Sequence, residues 1–212
     1  MRRFFTAPIS FSLLLLAGCS SEKPATEAKP EPVVKKEEPA AAPVPEVFKV
    51  KFETTKGRFI VEAHREWAPR GVERFHALVK DGYFDDSRFF RVVPNFIIQF
   101  GLAGNPSMTA KWDKPIPDDP VIRTNREGSI TFATAGPNTR TTQLFINLRS
   151  NQALDEQGFA PFGQVVEGFD VVLRLHSGYG ERPDQGMITR RGNAYLESLF
   201  PNLDVIKKAS IL

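Results

Sequence analysis

The stretch Val47-Phe-Lys-Val-Lys-Phe-Glu-Thr-Thr-Lys-Gly-Arg-Phe-Ile-Val-Glu-Ala-His64 alternates apolar and polar residues on both sides of Lys56-Gly57. A period of two is that of a half-buried strand, and Lys-Gly between two such runs reads as a hairpin turn. Downstream, Ala68-Pro69 opens a helical pattern: Val72, Phe75, Leu78 and Val79 recur at helical spacing, and Gly82 closes it. Short apolar runs at Arg88–Val93, Phe96–Phe100, Ser129–Ala133, Leu144–Leu148 and Phe162–Val166 read as further strands, and Val205–Leu212 as a returning one. A second helix fits Phe169–His176 through Val171, Val172 and Leu175. Many short strands and two helices without a βαβ rhythm predict an antiparallel barrel or sandwich with helical caps.

This pattern occupies residues 47–212, enough chain for one well-buried core. Eighteen Phe against two Trp and three Tyr point to an aromatic core or an aromatic-lined groove. The net charge of +3 leaves no basic excess, and no basic block marks a nucleic-acid partner.

Upstream lie two segments of different composition. Residues 1–18 have the form of an export signal: Arg2 and Arg3, then the apolar run Phe11–Leu16, then small residues. Leu16-Ala17-Gly18-Cys19 resembles a bacterial lipobox, which places lipids on Cys19, the only cysteine in the chain. An ordinary signal peptide with an incidental cysteine is the plainer alternative. Ser20 after the cysteine favours outer-membrane attachment over inner-membrane retention. Residues 19–46 then hold the lipidated Cys19 and a linker with six Pro, six Glu, four Lys and no aromatic residue. Such a segment cannot offset its ordering entropy and is expected to be a disordered tether, with a Pro-rich ligand for a partner as the second reading. Extended at about 3.1 Å per residue, it reaches roughly 80 Å from a membrane.

Several chemistries find no support. His64, His76 and His176 stand far apart, so no zinc site is expected, and Gly101-Leu-Ala-Gly104 lacks the lysine of a phosphate loop. Asp113, Asp118 and Asp119 are interrupted by prolines and read as a solvated loop. No metal and no cofactor is expected.

Two segments carry the functional reading. Arg88-Phe-Phe-Arg-Val-Val-Pro-Asn-Phe-Ile-Ile-Gln-Phe-Gly101 and Gly128-Ser-Ile-Thr-Phe-Ala-Thr-Ala-Gly-Pro-Asn-Thr-Arg-Thr-Thr-Gln-Leu-Phe-Ile-Asn147 closely resemble the cyclophilin family of peptidyl-prolyl cis-trans isomerases. Leu154-Asp155, Gly158–Gly163 and Val165–Gly168 extend the resemblance, which covers most of residues 47–176. It implies a closed antiparallel eight-stranded β-barrel capped by two helices. It also implies a monomeric isomerase of X-Pro bonds in Pro-containing polypeptides; together with the lipobox, this makes a lipid-anchored enzyme of the cell envelope that assists exported proteins to fold the expectation. A non-catalytic module that binds Pro-containing segments is the alternative.

Residue by residue, the resemblance makes Arg91 and Gln143 catalytic. Phe96, Gln99, Ala133, Phe145, Leu154 and Phe159 then line the proline pocket and adjoining groove. Taken alone, Arg91 also fits a surface ion pair on a strand, and any one of the phenylalanines fits a core. Three positions depart from the family. Phe90 stands where many members have histidine, Ala153 where many eukaryotic members have tryptophan, and Phe159 near the family's pocket histidine. These departures bear on inhibitor binding more than on catalysis. The segment Glu181–Asn202 exceeds the compact family pattern, and the sequence offers no role for it.

Overall fold

The alternating stretch folds as a hairpin in the computed structural model, which describes residues 43–212. Strands β1 (Val47–Thr54) and β2 (Gly57–His64) pair antiparallel with Val50 opposite Val61 and Phe52 opposite Phe59. Phe48, Val50 and Phe52 point inward, while Val47 and Lys49 stay outside. Thr54 Oγ1 donates to the Gly57 carbonyl at 2.8 Å, and Gly57 takes φ +126°, a value that suits a residue without Cβ.

The hairpin is the middle of a longer sheet. Its other strands are β3 (Ser87–Arg88), β4 (Arg91–Val93), β5 (Ile97–Phe100), β6 (Ser129–Phe132), β7 (Leu144–Asn147), β8 (Pro161–Glu167) and β9 (Val205–Ile211). They form one sheet in the order β3-β9-β1-β2-β8-β6-β7-β5-β4, with every neighbouring pair antiparallel. The expected closed eight-stranded barrel is therefore corrected to a curled sheet of nine strands. The run Arg88–Val93, expected as one strand, supplies both ends of the ladder. Its interruption, Phe89-Phe90, buries both rings, but in different apolar clusters. The main chain turns away with them. Phe89 N–H donates to the Asp204 carbonyl and Val92 N–H to the Gly180 carbonyl, so β3 and β4 do not pair with each other.

Helix α1 (Pro69–Lys80) buries Val72, Phe75, Leu78 and Val79 on the stripe their spacing sets. Phe75 packs between Phe52, Phe84 and Phe162, with ring centroids 5.0–6.3 Å apart. Nine of the eighteen phenylalanines lie in this core, and each fully buried ring contributes ~1.5–3 kcal/mol by removal from water. The other helices are short: α2 (Pro106–Trp112), α3 (Ala153–Glu156), α4 (Phe169–Leu173), α5 (Gln185–Arg191) and α6 (Asn193–Leu199). Only α1 and α4 were expected, and α4 ends earlier than the Phe169–His176 pattern suggested. The segment Glu181–Asn202 is thus a helical pair. Its Ile188, Tyr195, Leu196 and Phe200 close over Phe90 and Leu102 as a second apolar cluster.

Candidate active site

Three neighbouring strands place polar and aromatic side chains in one row. Arg91 on β4 is opposite Gln99 on β5, and Gln99 is opposite Phe145 on β7, so all three project to the same side of the sheet. Hydrogen bonds tie the polar part together. Arg91 Nη1 donates to Gln99 Oε1 at 3.1 Å, and Gln99 Nε2 donates to Gln143 Oε1 at 2.8 Å. Gln99 is buried, so its amide is fixed at both ends and holds the guanidinium and Gln143 in register.

Beside this row lies an apolar patch. Ile97, Phe145 and Leu154 are buried together, with Phe96, Ala133 and Phe159 packed against them. Phe159 meets Phe145 edge to face at 5.5 Å, and the Arg91 guanidinium lies 6.0 Å from the Phe96 ring centre. The row and the patch line an open cavity of about 400 Å³. All eight residues expected at the site line it: Arg91, Phe96, Gln99, Ala133, Gln143, Phe145, Leu154 and Phe159. Cys19, the expected lipidation site, lies outside the described residues.

The loop between β6 and β7 also lines the cavity, through Thr134, Ala135, Thr139 and Thr141. Asp118 and Asp119 hold this loop, contrary to the solvated role expected for them. Asn138 N–H donates to Asp118 Oδ2 at 2.7 Å, and the buried Arg140 donates to Asp119 Oδ2 through both terminal nitrogens at 3.0 and 3.1 Å. Among the described residues Arg91 is the one charged side chain in the lining, which otherwise offers amides, hydroxyls, aliphatic groups and aromatic rings. Such a site suits an apolar ring attached to an amide.

The chain matches the family model for cyclophilin type peptidyl-prolyl cis-trans isomerases over residues 49–192. It belongs to the cyclophilin family. The fission yeast Schizosaccharomyces pombe isomerase ppi1 is 35% identical over 132 residues, covering 59% of this chain and 83% of the yeast protein. The Arabidopsis thaliana isomerase CYP18-2 is 33% identical over 143 residues, covering 64% and 85% of the two chains. A Cryptosporidium parvum cyclophilin structure superposes with a TM-score of 0.60 at 23% identity, covering 78% of this chain and 98% of that one. A second Cryptosporidium parvum structure, obtained in the presence of the dipeptide Ala-Pro, gives a TM-score of 0.59 at 24% identity. At that identity the superposition speaks for the fold alone.

The family departures now have locations. Phe90 faces away from the cavity into the cluster under α5 and α6, an environment closed to an imidazole that needs partners. Ala153 is exposed at the head of α3 and does not line the cavity. Phe159 does line this cyclophilin's cavity, as an aromatic wall. Sequence reasoning missed Gln157, Gln185 and the loop threonines in the lining, and it missed Glu181. The Glu181 carboxylate accepts from Arg91 Nε at 2.6 Å, and its same oxygen, Oε1, contacts Nη2. The unexplained length of the C-terminal segment was the only signal for that contact.

Proposed function

We propose that this isomerase grips the pyrrolidine ring of an X-Pro segment with Phe96, Phe145, Leu154 and Phe159, and catalyses rotation of the X-Pro bond with Arg91. The barrier of ~18–20 kcal/mol reflects loss of amide resonance. In the twisted state the prolyl nitrogen turns pyramidal and its electron pair becomes available. An N–H of the Arg91 guanidinium can donate to that pair, whereas the planar amide offers none. Stabilisation confined to the twisted state is the kind that accelerates rotation. Arginine needs no proton exchange for this role, because it stays charged. Gln143 accepts from Gln99 through Oε1, which leaves its amide N–H groups to hold the rotating carbonyl in this reading.

The observation that carries this reading is the position of Arg91, the one cation of the lining among the described residues, beside a patch of aromatic and aliphatic side chains. A protease-coupled assay on an X-Pro peptide tests it. Arg91→Ala is expected to fold normally and to lose roughly one to three orders of magnitude in turnover. A folded variant with near-normal turnover would sink the assignment.

The cellular setting is part of the same proposal. The lipobox resemblance at Leu16–Cys19 and the Pro-rich segment after it support a lipid-anchored enzyme on a spacer. Ser20 supports the outer membrane, facing the periplasm, with exported polypeptides as substrates.

A further inference from the structure

Glu181 belongs to no strand of the sheet, yet its carboxylate meets the guanidinium of Arg91. We infer that Glu181 is a positioning residue for Arg91, supplied by the segment between α4 and α5. The inference rests on the catalytic reading of Arg91. A guanidinium has five N–H donors in a fixed fork. Nε and Nη2 of Arg91 contact Glu181, and Nη1 donates to Gln99. One N–H on each terminal nitrogen is left over for a substrate. The contacts therefore lock the flexible side chain from two sides and leave its far end free.

The carboxylate is itself held by its backbone. Gly180 accepts from Val92 N–H through its carbonyl at 3.2 Å, docking the segment onto β4 one residue from Arg91. On the other side, the Asp184 carboxylate caps α5 by accepting from Met187 N–H at 2.6 Å, and Asp184 N–H donates to the Tyr195 hydroxyl at 3.1 Å. Phe90, the residue before Arg91, is buried in the cluster formed by α5 and α6. This segment and the two helices after it thus grip β4 on both flanks of the arginine. Gln99 alone would leave a half-buried arginine with one anchor. A second, charge-assisted contact narrows its rotamers before substrate arrives.

The test is turnover of the full chain, resolved into kcat and KM on an X-Pro peptide, for Glu181→Ala and Glu181→Gln, each alone and combined with Arg91→Ala. Glu181→Ala is expected to lower kcat roughly three- to tenfold with KM within about twofold, because orientation rather than binding is lost. Glu181→Gln keeps an acceptor oxygen and is expected to recover most of that loss. In the Arg91→Ala background, where nothing remains to be positioned, Glu181→Ala is expected to have no further effect on the residual rate. A purely structural role would lower the rate in both backgrounds, and that outcome overturns the inference. So does unchanged kcat in Glu181→Ala, or a rise, which would make the carboxylate a restraint. If Arg91→Ala alone leaves turnover intact, the catalytic reading fails instead.

Discussion

Asp119 shows how far one carboxylate can reach. Its side chain is fully buried, and it accepts from Arg70 N–H at 3.1 Å and Gly71 N–H at 2.8 Å in the first turn of α1. Ala68, the residue at the cap position, has no side-chain oxygen, so Asp119 supplies the cap from the distant loop. The other half of its charge is answered by Arg140. Removing one partner of such a pair strands the other in the interior. Asp119→Ala is expected to cost ~3–5 kcal/mol, lowering Tm by roughly 10 °C for a chain of this size. Asp119→Asn keeps an oxygen for the helix but turns an amide donor toward the guanidinium on one side, so its loss should be smaller. Thermal unfolding of the two variants checks the order. None of this was legible in the sequence, where Asp119 sits among prolines and Arg140 lies beyond the next strand. The cavity residues, by contrast, were legible by resemblance, because the two long motifs become β4–β5 and the β6–β7 region.

At the scale of elements, periodicity worked where one face of an element meets the main core. The β1–β2 hairpin and α1 obey their expected patterns because Phe52, Phe59 and Phe75 share that core. Arg88–Val93 misled for the opposite reason: its phenylalanines serve two cores, and no periodicity encodes that. The helices α5 and α6 escaped notice because they are short, and their apolar residues make sense only against Phe90 and Leu102. Phe90 is consequently the residue on which the added segment depends. Phe90→His, the residue common elsewhere in the family, puts a polar ring among Ile188, Leu196 and Phe200. It is expected to cost about 2–4 kcal/mol, through lost apolar burial and an imidazole without partners. The damage should be local. Amide hydrogen exchange in α5 and α6 is expected to quicken while α1 stays protected, and kcat should fall toward that of Glu181→Ala as the carboxylate loses its support. Equal quickening in α1 would show that the segment does not have a core of its own.

At the scale of the whole molecule, the sheet's two ends come from one short run of chain, and the C-terminal segment occupies that break before β9 returns to pair with β1. The core reaches upstream to Val44, and Glu46 accepts from Arg65 N–H through its carbonyl at 2.8 Å. Among the described residues the cavity lining runs from Arg91 to Gln185, with Glu181 beside Arg91, so the proposed chemistry is assigned to residues downstream of the proposed tether. That separation defines what Cys19→Ser should do in the full chain. If Cys19 carries the anchor, the variant should appear in the soluble fraction or persist as uncut precursor, because diacyl attachment is what gives durable membrane binding. Its turnover on a free X-Pro peptide should match that of the unaltered chain once both are extracted in the same detergent, since no cavity residue has changed. Fractionation and peptide turnover measured on the same preparations check both halves. Normal processing with full membrane retention would remove Cys19 as the anchor, and loss of turnover in the soluble variant would mean that the tether takes part in the chemistry.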